Sequence, residues 1–98
     1  MGAYDIVLKR TAIADMDRLR KYDARTVADA MERRLQHEPR KESRSAVRRL
    51  RGISDPDYRL QVGDYRIFYN VDDQALRVDI LRVMHKGETR AYYEEPES

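Results

Sequence analysis

The chain contains no cysteine and no tryptophan, and only 3 prolines, 4 glycines and one phenylalanine in 98 residues. Without cysteine there is no disulfide framework and no thiolate metal site, which fits a reducing compartment. No apolar run approaches the length that spans a bilayer, and the N-terminus lacks the apolar core of a signal peptide. These absences predict a soluble, cytoplasmic protein. No repeat, low-complexity tract or linker divides the chain, so residues 1–98 are expected to form a single domain. The carboxylates show no metal-site spacing, so neither a metal nor another cofactor is expected.

What the chain has in quantity is charge, 39% of its residues against 41% hydrophobic. The net charge is only +2, but it is unevenly distributed. Arg40, Lys41, Arg44, Arg48, Arg49 and Arg51 crowd one segment against Glu42 alone, while Glu94, Glu95 and Glu97 close the chain. A basic segment of this kind either binds a polyanion by releasing counterions or is a solvated face.

Periodicity gives the element order. Tyr4 to Lys9 alternates like a strand with Tyr4, Ile6 and Leu8 on one face. Thr11 is the expected N-cap of a helix whose apolar side carries Ala12, Ile13, Met16 and Leu19. Lys21-Tyr22-Asp23 reads as a break, with Asp23 capping a second helix. There Ala24, Val27, Ala28, Met31 and Leu35 form a stripe that ends before Pro39. A helix stripe of this kind either docks a partner or packs on a sheet. Residues 40–57 read as a basic connection, with Ala46, Val47 and Leu50 on one short helical turn. Strands follow at 58–62, 65–71 and 76–84. The predicted class is α+β, in the order β-α-α-β-β-β, with two N-terminal helices on a mainly antiparallel twisted sheet.

The segment Tyr58-Arg-Leu-Gln-Val-Gly-Asp-Tyr-Arg-Ile-Phe-Tyr69 carries the most specific signal. Gly63-Asp64 suits a type II′ hairpin turn, which sets Val62 opposite Tyr65 and Arg59 opposite Phe68. Strand alternation then puts Tyr58, Leu60, Val62, Tyr65, Ile67 and Tyr69 on the core face. Arg59, Gln61, Arg66, Phe68 and Asn70 take the other, with Arg66 solvent-facing. The two arginines are diagonal neighbours, about 7–8 Å apart, and their forked donors can share a phosphate. Past Ile80 the alternation slips. Either both faces of the last strand are covered there, the expected case, or a bulge re-aims it. His85, Lys86, Arg90, Tyr92 and Tyr93 follow. His37 reads as a solvated side chain. Cleavage of RNA by its own 2′-hydroxyl needs a proton acceptor, cations for the phosphorane and a donor for the leaving 5′-oxygen. Histidine and tyrosine beside arginines supply such groups without a metal.

Leu50-x-Gly52, the Tyr58–Tyr69 segment and a hydrophobic strand ending in His85-Lys86 and a tyrosine resemble the RelE/ParE toxin superfamily, and within it RelE-type toxins. The resemblance covers nearly the whole chain. It implies the toxin of a type II toxin-antitoxin system, an endoribonuclease that cleaves mRNA on the ribosome without metal and so inhibits translation. It implies a cognate antitoxin as partner, with operator DNA reached only through that complex, and no membrane. Arg59, Arg66, His85 and Tyr92 or Tyr93 would form the catalytic set. Arg44, Arg48, Arg49, Arg51, Lys86 and Arg90 would bind RNA. Two departures weaken the site: Gln61 stands where many relatives carry a basic residue, and Lys86 replaces the usual arginine after His85. ParE-type toxins share the fold, lack the nuclease residues and poison DNA gyrase. A non-catalytic RNA- or partner-binding domain is the reading from a different class.

Overall fold

The computed structural model describes residues 2–50 and 56–91, with the backbone alone at 90 and 91. The elements are β1 (Asp5–Leu8), α1 (Arg10–Asp17), α2 (Lys21–Leu35), β2 (Val47–Arg49), β3 (Tyr58–Val62), β4 (Tyr65–Asp72), β5 (Arg77–His85) and a 3-10 helix (Lys86–Ala91). They form one five-stranded sheet in the order β1-β5-β4-β3-β2, with both α-helices N-terminal. β1 runs parallel to β5 and every other pair is antiparallel. The α+β class is as expected, with one strand more.

That additional strand is β2, where the spacing of Ala46, Val47 and Leu50 suggested a helical turn. Three residues at a sheet edge carry no periodic signal of their own. Pairing with β3 decides their conformation: Arg48 faces Arg59, and Val47 faces Leu60. The outward edge of β2 is closed by its own connection. Ser43 Oγ accepts from the amides of Ala46 and Val47, and Glu42 Oε1 accepts from Arg49 N–H at 2.9 Å.

Both helices start earlier than the capping signals predicted. Lys9 precedes α1 and Arg20 precedes α2, and neither makes a side-chain cap. Thr11 instead sends its hydroxyl to the carbonyl of Leu81, 2.7 Å away. Asp23 lies within the first turn of α2 and accepts from the Tyr65 hydroxyl at 3.2 Å. The break between helices therefore falls at 18–20. α2 buries Val27, Ala30, Met31 and Leu35, with Ala30 in place of the expected Ala28. Ile13 is 49% exposed, against the expectation that it faces the core.

The main core lies between the helices and one sheet face. It contains Ala12, Val27, Met31, Leu35, Val47, Leu60, Ile67, Tyr69, Val78, Ile80 and Val83. Tyr69 is fully buried, stacks on Tyr58 at 5.5 Å between ring centroids, and donates its hydroxyl to the carbonyl of Pro39 at 2.7 Å. Burial pushes that phenol's pKa far upward, so it stays a donor. Arg40 ties the same corner together. Its guanidinium lies 5.9 Å from the Tyr58 ring centroid and donates to Asp73 and to the carbonyl of Val71.

Two features of β5 were not expected. Leu76, expected to open the strand at 76–84, lies in the preceding turn at φ +52°, and its carbonyl accepts from Asp5 N–H at 2.8 Å. Farther along, Phe68 faces Arg82 and Tyr69 faces Ile80, so Leu81 has no cross-strand partner. This is a β-bulge, and the expected coverage of both strand faces accompanies it: Val83 enters the main core while Met84 is buried on the opposite face. It explains the slipped alternation: Ile80 and Val83 both enter the main core.

Candidate functional site

The hairpin register agrees with the prediction at every rung: Val62 faces Tyr65, Gln61 faces Arg66, Leu60 faces Ile67 and Arg59 faces Phe68. Gly63 supplies the only positive-φ residue of the turn, at +56°, as a II′ turn requires. Paired residues of an antiparallel ladder point to the same side. Arg48, Arg59, Gln61, Arg66, Phe68 and Met84 thus share the sheet face turned away from the helices. Arg48, Arg59 and Arg66 from adjacent strands stand on this face, and Arg82, opposite Phe68, is turned aside to Asp15.

The outer face is not a flat solvated surface. Leu50, Phe68 and Met84 form a second, smaller core on it. Arg59 is only 5% exposed, beside this floor, and donates to Gln61 Oε1 at 3.2 Å. Gln61 therefore acts as a partner for Arg59 rather than as a missing cation. Arg66 is half-buried, not solvent-facing. Its guanidinium folds back over the hairpin turn and donates to the carbonyls of Gly63 at 3.0 Å and Tyr65 at 3.1 Å. Both bonds come from Nη1, so two backbone carbonyls fix the position of the guanidinium over the turn.

The structure does not bring His85 to the arginines. The register pairs it with Tyr65, on the helix side of the sheet, where the two rings meet edge to face at 5.8 Å. Its Nδ1 accepts from Gly87 N–H at 3.1 Å, which leaves the ring proton of the neutral imidazole on Nε2. His85 N–H donates to Glu88 Oε1 at 3.2 Å. Both contacts fold the chain from β5 into the 3-10 helix.

The basic segment is divided as well. Arg48 joins the outer face. Arg49 faces Tyr58 on the helix side, and its guanidinium lies 5.8 Å from that ring's centroid. Arg44 is exposed in the preceding connection. Lys86 pairs with Asp64, Nζ to Oδ1 at 3.4 Å. Arg51, Tyr92 and Tyr93 lie outside the described residues, as does the side chain of Arg90. Among the described residues no three histidine or acidic side chains converge on a metal site, and no helix is long and apolar enough to cross a membrane.

Asp15 was missed by sequence reasoning, because a lone aspartate on a helix looks solvent-facing. It is 3% exposed and accepts from Arg82 Nε at 2.7 Å, Arg82 Nη2 at 3.1 Å and Val83 N–H at 2.9 Å. Burial pushes its carboxyl up, but the bonds from Arg82 and Val83 and the charges of Arg82 and Arg18 outweigh that and hold it below the usual range. With Thr11 it completes the β5 edge where β1 ends. A cleft of about 450 Å³ opens there, lined by Asp15, Arg18, Arg82, Val83, Met84, Gly87 and Glu88. Asp15 is paired with both Arg18 and Arg82, so we read the cleft as packing rather than as a site.

The geometry is that of an α+β domain with arginines clustered on the outer face of a small sheet. The family model of the ParE toxin of type II toxin-antitoxin systems, parDE, matches residues 6–90, and the chain belongs to that family, within the RelE/ParE superfamily. The toxin–antitoxin complex RelBE2 of Mycobacterium tuberculosis is similar at TM-score 0.72 and 27% identity, over 87% of this chain and 93% of that one. The RelE–RelB complex of the archaeon Pyrococcus horikoshii OT3 is similar at 0.70 and 27%, over 87% and 97%. A mutant of Escherichia coli RelE in the free state, with two arginines replaced by alanine, shares the fold at 0.71 and 24%, over 94% and 93%. No curated protein sequence matches.

Proposed function

We propose that the protein is a ribosome-dependent mRNA endoribonuclease, the toxin of its system, acting by metal-independent 2′-hydroxyl attack. The observation that carries this reading is the cluster of Arg48, Arg59 and Arg66 on one sheet face, with two of the three held by neighbouring polar groups. In the reaction the 2′-oxygen attacks phosphorus and the bond to the 5′-oxygen breaks, leaving a 2′,3′-cyclic phosphate and a 5′-hydroxyl. Arg59 and Arg66 would hold the non-bridging oxygens as charge develops on them. Arginine never releases its proton, so proton transfer falls to other groups. Tyr92 or Tyr93 is suited to it, and His85 orients the start of the segment that carries them.

Its partner would be an antitoxin whose acidic segment covers the arginine face, since opposite charge both steers and registers such a contact. Co-expression with the neighbouring reading frame should yield a complex that survives size exclusion. Operator DNA would be reached through that complex, and the site of action would be cytoplasmic.

The deciding experiment is purified protein with ribosomes and a defined mRNA. Cleavage within the A-site codon supports the nuclease. A second reading is favoured by the match to the ParE family model and by the placement of His85 away from the arginines: a toxin that inhibits DNA gyrase. Loss of supercoiling activity without RNA cleavage supports it. Neither effect would leave a domain that only binds.

A further inference from the structure

We propose that the Gly63-Asp64 turn is a positioning element that holds Arg66 and Lys86 together for one phosphate. The proposal rests on the outer-face reading above and names what fixes its geometry. The turn works in two directions. On one side, the Gly63 carbonyl accepts from Arg66 Nη1 at 3.0 Å, and the Tyr65 carbonyl accepts from the same nitrogen at 3.1 Å. On the other, the Asp64 carbonyl accepts from Lys86 N–H at 2.7 Å, and the Asp64 carboxylate lies 3.4 Å from Lys86 Nζ. Three successive residues of one hairpin thus reach a cation on their own strand and a cation at the exit of β5.

The backbone conformation of Gly63 makes this possible. Its φ of +56° turns the chain so that the Gly63 carbonyl faces Arg66. A Cβ at this position would meet nothing within 4 Å, so space is not what excludes other residues. The positive φ is: any L side chain is strained there, a β-branched one most of all. The turn therefore does more than join two strands. It fixes a guanidinium whose value to a phosphate depends on being held before the phosphate arrives.

The test combines kinetics with a measurement that needs no RNA. In the ribosome assay, Gly63→Val should lower kcat about 10- to 100-fold with a smaller change in KM, as misplacement of a preorganised group does. Gly63→Asn should lose less, since asparagine is less disfavoured at positive φ than a β-branched residue. In a double-mutant cycle, Gly63→Val should add little to Arg66→Ala, because both remove the same held guanidinium. Asp64→Ala, which leaves the turn backbone in place, should cost a smaller factor through Lys86. Independently, nitrogen relaxation at Arg66 Nε–H should report a rigid side chain in the parent and in Gly63→Asn, and a mobile one in Gly63→Val. Additive effects on kcat, or an Arg66 that is equally mobile in the parent and in Gly63→Val, would overturn the proposal. A rigid Arg66 in a protein that cleaves no RNA would refute the nuclease reading and uphold the positioning role.

Discussion

Arg82 grips Asp15 through two hydrogen bonds, 2.7 and 3.1 Å, across 67 positions of sequence. The pair fastens α1 to the second half of β5, where β1 no longer reaches. Asp15 also accepts from Val83 N–H, so one carboxylate replaces a missing strand.

Removing that carboxylate should loosen the fold without touching the arginine face. Asp15→Ala should cost about 1.5–3 kcal/mol, the range for hydrogen bonds to a charged group. A fully buried pair would cost about 3–5 kcal/mol, which is too much here because the Arg82 side chain is 29% exposed. Thermal melting should fall by about 4–8 °C per kcal/mol lost. A melting temperature equal to the parent's would mean that the pair contributes nothing net.

The same carboxylate sets an acid limit. Its folded pKa lies below the unfolded value, so its contribution is fully present above the unfolded pKa of about 3.9 and is lost as pH falls through the folded one. Asp79, lowered by its hydrogen bond from Arg77, acts in the same direction. Denaturant unfolding followed from pH 6 downward should therefore show stability falling below about pH 4. Asp15→Asn should flatten that fall; an identical slope in the variant would exclude Asp15 as its source.

Arg66→Ala separates stability from chemistry. The side chain is half-buried and bonded to two carbonyls, so its loss should cost about 0.5–1.5 kcal/mol. Cleavage in the ribosome assay should slow by about 100- to 1000-fold, the usual effect of deleting one transition-state donor. Arg66→Lys should recover only part of the rate, because a point charge does not reproduce the fork. Wild-type cleavage by a folded Arg66→Ala protein would remove this arginine from the reaction.

The exposed cations should reveal themselves through salt. Arg44 and Arg48 are both exposed, and if each neutralises one phosphate of single-stranded RNA, replacing both should shallow the slope of log affinity against log salt by about 1.4. An unchanged slope would make them solvated side chains without a nucleic-acid role. Arg49, held against Tyr58 on the other side of the sheet, should contribute less than Arg48.

The element order apart from β2, the II′ turn at Gly63 and the two faces of the β3–β4 hairpin were legible in the sequence. All three follow from short-range rules: the two-residue period of a strand, the three-to-four-residue period of a helix, and the positive φ that glycine supplies. The segment carrying the family resemblance is this same hairpin. What lay beyond it depended on partners distant in sequence. Residues 47–49 became a strand only because β3 lay alongside. Thr11 and Asp23 looked like caps, yet Leu81 and Tyr65 claimed their oxygens. The bulge at Leu81 shifted β5 by one residue, and with period two a single residue decides the face. That shift, absent from any local pattern, put His85 beside Tyr65 and Met84 beside the arginines. Alternation within one strand is set by chain geometry, but the side on which a strand's end emerges is set by every rung before it. Tertiary pairing alone decided that.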